Sequence, residues 1–273
     1  MCLVDLDLAT EASDASWTPA EVFEYARDFN LCLFSVTDWD APQTLDVPED
    51  LRDKYVPGVR TRAEIGDCAV DVFLYGAIAP DSPLAHELAE QRERRHDCTV
   101  ETVFKLIEHG IIITLKDIIA DAGPECRSLE PIHVARTLVR LGAVKTTEEA
   151  FRRYVGLTGS CYAGSPRLSF GELVDMAQDL DLIIALPHPL GYRVVEEIRK
   201  LQITIVPIGH PAHATTPGAW LDDQNERIVL TVGLASRGAN PRLPVRVSHN
   251  FITYVRTRLA RQGSKAEQPS AER

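Results

Sequence analysis

The chain contains no CxxC pair, no Walker loop, no GxGxxG and no GxSxG elbow. Those absences remove the motif-level routes to paired-thiol zinc or redox chemistry, nucleotide cradling, dinucleotide binding and serine-elbow hydrolysis. The six cysteines (Cys2, Cys32, Cys68, Cys98, Cys126 and Cys161) are scattered, which fits reduced, mostly buried thiols rather than a disulfide framework. Long apolar runs are also missing. The longest, 111–115 and 182–186, fall far short of a bilayer span, and the opening MCLVDLDL has no basic n-region. A cytoplasmic location with no membrane partner is therefore expected. Positive charge is in deficit, with 29 Lys and Arg against 40 Asp and Glu and a net charge of −11. That balance argues against a nucleic-acid-binding surface, which would be basic. There is no internal repeat, and no low-complexity linker marks a domain boundary.

What is present is an ordinary globular composition, 45% hydrophobic and 25% charged over 273 residues, enough for one large domain with a sizeable core. Residues 3–8 alternate apolar and acidic side chains and predict a strand. Thr18, Pro19 and Glu21 form the N-cap, first turn and capping box of a helix reaching about Phe29. Residues 31–37 are almost wholly apolar, as in a strand buried on both faces. A strand–helix–strand opening favours an α/β architecture. A Pro-, Asp- and Arg-rich loop is expected over 41–61, and a strand over 68–75. From 82 to about 156 the pattern turns helical: 87–95, 100–108, 131–141 and 147–155. The α/β rhythm returns with a helix over 170–178, a strand over 182–186, a helix over 193–201 and a strand over 203–208. A further strand is expected over 228–232 and a last helix over 251–261, followed by a small, polar, disordered tail over 262–273.

Several short blocks share a common pattern. The first is Val4-Asp5-Leu6-Asp7-Leu8-Ala9-Thr10 with Ser13-Asp14, then Thr18-Pro19, then Thr37-Asp38-Trp39-Asp40. Further on come Pro57-Gly58-Val59-Arg60, Val70-Asp71-Val72-Phe73-Leu74-Tyr75 and Ile132-His133-Val134-Ala135-Arg136. The last are Leu186-Pro187-His188-Pro189, His210-Pro211-Ala212-His213 and Thr231-Val232-Gly233 through Arg237-Gly238. In order and spacing these resemble the polymerase-and-histidinol-phosphatase (PHP) family. The resemblance implies a single domain over residues 1–261, a distorted seven-stranded β/α barrel of TIM-like form with a helical insertion at about 82–165. Its site lies at the C-terminal ends of the strands, as in such barrels generally.

The family binds two or three divalent metals through imidazoles and bridging carboxylates, to activate a hydroxide and polarise a phosphate ester. Of roughly nine aligned ligand positions, Asp14 and His188 are retained and Asp7 and Asp71 are oxygen-bearing substitutes. Ala9, Trp39, Arg60, Ala235 and Arg237 stand at the others and cannot ligate.

No metal cofactor is therefore expected. The resemblance assigns His188, Asp7, Asp71 and Asp14 to acid–base chemistry. Arg60, Arg237, Trp39, His213, His133, Asp38 and Asp40 become candidate contacts for a small anionic metabolite, phosphorylated or carboxylated. Two other readings stay open. One is a phosphomonoester hydrolase keeping a single Zn, Mn or Fe ion on Asp7, Asp14, Asp71, His188 and, with a four-residue register shift, Glu64. The other is a non-catalytic relative serving as a binding or partner subunit, in which the arginines neutralise a disused carboxylate cluster.

Overall fold

The computed structural model describes residues 2–188, 198, 205–209, 245–247 and 249–266. The expected helix over 193–201 (apart from residue 198) and the strand over 228–232 lie outside them, as do His213, Ala235 and Arg237. Strand β1 (Cys2–Leu8) leads through a loop into α1 (Pro19–Asp28), whose N-terminus carries the expected capping box of Thr18 and Glu21. Then follow β2 (Leu33–Val36), the hairpin β3 (Gly58–Ile65) and β4 (Cys68–Tyr75), and the long helix α2 (Pro83–Glu108). Next come α3 (Leu115–Ala122), α4 (Pro131–Arg140), α5 (Thr147–Ala150), β5 (Leu168–Ser169) and α6 (Phe170–Asp179). β6 (Ile183–His188), β7 (Ile205–Gly209), β8 (Val245–Val247) and α7 (His249–Ala266) complete the described elements.

The strands form two sheets, one ordered β2-β1-β8 and the other β5-β3-β4-β6-β7. Isolated bridges at Phe34↔Tyr55 and Trp39↔Arg60 tie the chain around β2 to the approach and start of β3. The architecture is a mixed α/β fold, and closure into a full barrel is not seen among the described residues. Both sheets are mixed, with parallel pairs (β1 with β2, β3 with β5, β6 with β7) and antiparallel ones (β3 with β4, β4 with β6, β1 with β8).

Three differences from the expected elements have physical reasons. The segment around Gly58–Ile65 carries Arg60, Arg62 and Glu64 on alternate positions, so it looks polar in sequence. Their intervening neighbours Val59, Ala63 and Ile65 are buried in the core, and the stretch is a strand. The stretches 87–95 and 100–108 belong to one helix, because no breaker interrupts them. The last helix runs to Ala266, past the expected tail start at 262. Gln262 is fixed there by donating to the carbonyls of Ala77 and Leu180 at 2.8 and 2.9 Å.

Separate apolar clusters fill the two parts of the molecule. One lies between β3, β4, β6 and helices α2 and α6, with Leu74, Leu84, Leu88, Leu173 and Leu186 fully buried. The helical segment has its own, built from Val103, Leu106, Ile113, Ile118, Val134 and Leu138. No described helix is long and apolar enough to cross a membrane.

Where β3 begins, the backbone passes very close to β2. A Cβ on Gly58 would stand 2.4 Å from Ser35 Oγ and 2.9 Å from Thr37 Cγ2, so only glycine permits the approach. Gly58→Ala is expected to lower stability by about 1–3 kcal/mol through overpacking. A urea unfolding curve checks it, and an unchanged midpoint would remove the claim that this approach is sterically locked.

Candidate functional site

The carboxyl ends of β1 and β2 bring four acids together, Asp7, Asp14, Asp38 and Asp40, of which Asp38 and Asp40 are completely buried. Burying carboxylates requires partners, and each acid has them. Asp38 accepts from the Thr10 backbone N–H at 2.7 Å, the Thr10 hydroxyl at 2.6 Å and the Ser13 hydroxyl at 2.7 Å. Burial nonetheless holds its pKa above the usual carboxylate range against those three hydrogen bonds. Asp38 thus ties the loop after β1 to the end of β2.

Arg60 lies between the other two acids. Its Nη1 is 3.5 Å from Asp7, its Nη2 is 3.4 Å from Asp14, and the side chain is 3% exposed. The Thr37 hydroxyl donates to Asp7 at 3.2 Å, and the Trp39 indole N–H donates to Asp14 at 3.3 Å. The Arg60 guanidinium also sits 4.2 Å from the centre of the Trp39 ring, within cation–π range. Two more arginines approach the same indole, Arg95 at 4.6 Å and Arg62 at 5.1 Å. Trp39 is the hub of the site: it packs against three guanidiniums and is 4% exposed.

No motif in the sequence marks Arg95. It comes from α2, where Leu84, Leu88, Gln91, Arg95, Thr99, Thr102 and Leu106 are buried at helical spacing. Its Nε is 2.5 Å from Asp40 and its Nη1 is 3.1 Å from Glu130. A guanidinium on the apolar stripe of a helix needs such partners, and that placement was the visible clue. The charge density of 87–95 concealed it. Arg92, one turn earlier, donates to the Asp40 carbonyl.

Glu130 belongs to the same network, with Ser128 donating to it at 3.3 Å. Burial pushes its pKa up to about 7 against the pull of Arg95. His133 serves α4 itself: its Nδ1 accepts from the Glu130 backbone N–H at 3.0 Å, and its other hydrogen bond involves the Ser13 backbone. Burial lowers its pKa to about 4, so the ring is neutral and clamps α4 to the loop after β1.

Asp71 and Arg62 stand directly opposite on β4 and β3, paired through Oδ1 to Nη2 at 2.7 Å and to Nε at 2.8 Å. Both are about three-tenths exposed. Glu64 is further out, 3.1 Å from Arg167 and half exposed, away from the Asp7–Arg60–Asp14 group. His188 ends β6 beside β7, in register with Gly209.

The metal centre that the PHP resemblance implies does not fit these residues. Among the described residues no three His, Cys, Asp or Glu side chains are grouped so as to hold a metal ion. A cation between Asp7 and Asp14 would meet the Arg60 guanidinium. At about 4 Å with an effective dielectric near 20, a divalent ion and a guanidinium repel by roughly 8 kcal/mol.

No family model and no curated protein matches the chain. Solved structures do. One is a Bifidobacterium adolescentis protein to which a metal-dependent phosphoesterase activity has been ascribed. It is 19% identical over 93% of this chain and 96% of that one, with a TM-score of 0.75. Another is an amidohydrolase from Chromobacterium violaceum, solved with bound sulfate and no metal. It is 23% identical over 75% of this chain and 76% of that one, with a TM-score of 0.64. The chain shares their fold. At these identities the likeness extends to architecture alone.

Two outcomes are expected. Arg60→Ala strands Asp7 and Asp14 and should destabilise by about 3–5 kcal/mol, read from chemical denaturation. A loss under about 1 kcal/mol, the range of exposed ion pairs, would show that Arg60 is not a buried partner. For His133, the folded pKa lies below the unfolded one. The unfolded chain therefore gains its proton first, and stability falls as pH drops from about 6.5 towards 4. His133→Gln should flatten that limb of the stability–pH curve, and an unaltered slope would assign the acid sensitivity elsewhere.

Proposed function

We propose that the chain is a diverged PHP-fold protein that binds a small anionic molecule, phosphorylated or carboxylated, at a largely metal-free site at the carboxyl ends of its strands. The observation that carries this reading is the Arg60 guanidinium held between Asp7 and Asp14. A fixed cation stands at the position where the PHP pattern has a metal-bridging carboxylate. The carboxylates are thereby neutralised without an ion, and the activation of hydroxide that a metal would supply is lost with it. The Chromobacterium violaceum amidohydrolase, solved with bound sulfate and no metal, is in keeping with the same reading.

Arg60 itself is committed to two acids and nearly inaccessible, so recognition of the ligand falls to cations nearer the solvent. Arg62 is a quarter exposed on the same face of β3. Arg136 reaches the Asp14 carbonyl at 3.2 Å from α4. Guanidiniums in such positions suit charge-assisted contact with a phosphate or carboxylate oxygen.

A thermal-shift screen with sulfate, phosphate and small carboxylates, paired with elemental analysis of protein purified without chelators, tests the proposal. Oxyanions should stabilise the wild type in a saturable way, by about 2.7 kcal/mol at a hundredfold excess over Kd, and no stoichiometric transition metal should be found. Absence of stabilisation by every anion would overturn it. So would a stoichiometric metal accompanied by phosphomonoester hydrolysis.

A further inference from the structure

Between the loop 42–47 and the segment 76–85 lies a half-open cavity of about 620 Å³. That size falls within the roughly 300–1,000 Å³ of small-molecule pockets. Pro42, Leu45 and Val47 line it from the loop, and Ile78, Pro80 and Ala85 from the facing segment. Tyr55, Pro57 and Gly58 line it from the approach to β3. None of Asp7, Asp14, Trp39 or Arg60 does so, which separates the cavity from the acid–arginine group.

Two apolar cores meet here without closing on each other. Leu45, Val47 and Tyr55 belong with the cluster around α1 and β2, and Ile78 packs against the cluster of β3, β4, β6, α2 and α6. Leu45, Tyr55 and Ile78 are only half-buried, so both cores leave apolar surface beside the gap. Each side is fixed by its own polar contacts. On the loop, Arg52 Nε donates to the Val47 carbonyl at 3.2 Å. Opposite, Gln262 accepts from the Ala77 N–H at 2.9 Å and donates to the Ala77 carbonyl at 2.8 Å. The Ser82 hydroxyl donates to the Ala79 carbonyl at 2.6 Å and accepts from the Ala85 N–H at 3.2 Å, which fixes the turn into α2. The rings of Pro42, Pro57 and Pro80 stiffen the backbone further. The gap is thus pre-formed, and a ligand filling it meets little reorganisation cost.

We infer that this cavity binds an uncharged small molecule with a mainly apolar body. Apolar walls on both sides favour the removal of hydrocarbon surface from water. The charged side chains that line it are Asp46 and Arg52, and both are exposed. One of each sign leaves the entrance without net charge, so neither a carboxylate nor an ammonium is selected there. Carrying either charge inward among the apolar walls is costly. Thr44, also exposed, offers a hydroxyl to an alcohol or amide at the entrance. This site is additional to the anion-binding reading and does not depend on it.

Fluorescence titration of the full chain with Nile red, an uncharged apolar dye, tests the site. One saturable site per chain is expected, and at neutral pH octanol should displace the dye more effectively than octanoate or octylammonium. Ala85→Phe and Ile78→Asp, in the wall, should each weaken dye binding roughly tenfold or more, in protein shown to be folded by circular dichroism. Thr44→Trp, at an exposed position, narrows the entrance and gives the same reading if the wall variants fail to fold. Ile112→Ser removes a side chain that is 91% exposed on the helical segment and should leave binding unchanged. No saturable binding, full retention in every folded cavity variant, or loss in Ile112→Ser overturns the cavity as a binding site. A charged homologue that displaces the dye as well as octanol does overturns the assignment to uncharged ligands. The anion-binding reading stands or falls on the oxyanion screen alone.

Discussion

Everything at the carboxyl ends of β1 and β2 depends on one electrostatic requirement: the acids gathered there need cations. Asp7, Asp14, Asp38 and Asp40 converge because the strands that carry them are parallel neighbours or run on from them. Isolated ionised carboxylates in such a place would be prohibitively destabilised. Hydroxyls and a backbone N–H serve Asp38, but Asp7, Asp14 and Asp40 rely on arginines. Arg60 meets the first two and Arg95 the third. The indole of Trp39 lies against both guanidiniums, filling the space between them with a ring whose face attracts cations.

This requirement ties the helical segment to the sheet. Arg95 bridges Asp40, after β2, and Glu130, at the N-cap of α4. His133 and Arg136 attach the same helix to the loop after β1 through Ser13 and Asp14. The helical segment has an apolar core of its own and packs on the strands through Leu84 and Leu88 of α2, and these polar contacts add to that packing. Their directionality fixes orientation in a way that apolar packing does not.

Much of the fold was legible in the sequence. The capping box at Thr18 and Glu21, the largely apolar β2 and the strand over 68–75 follow from local chemistry and period, and the structure contains each. β3 was hidden because one of its faces carries Arg60, Arg62 and Glu64, so alternation looked like a polar loop. α3 was hidden because its eight residues bury only Ile118 fully, too little pattern to mark a helix. At the site, the blocks pointed to Asp7, Asp14, Trp39 and Arg60, and these four meet. Arg95 and Glu130, equally central, went unseen because their partners are 55 and 35 residues away from Arg95 in sequence.

The amino-acid sequence by itself determined which chemistry could be assembled. It places carboxylates at strand ends and puts an arginine where the PHP pattern has a bridging acid. Those are properties of residue type and order. Only the tertiary structure decided which charges face each other: that Arg60 is enclosed by two acids and closed to solvent, and that Arg95 is buried between Asp40 and Glu130. The physical reason is that ion pairing and burial depend on distances of a few ångströms between distant parts of the chain, and a sequence records no such distances.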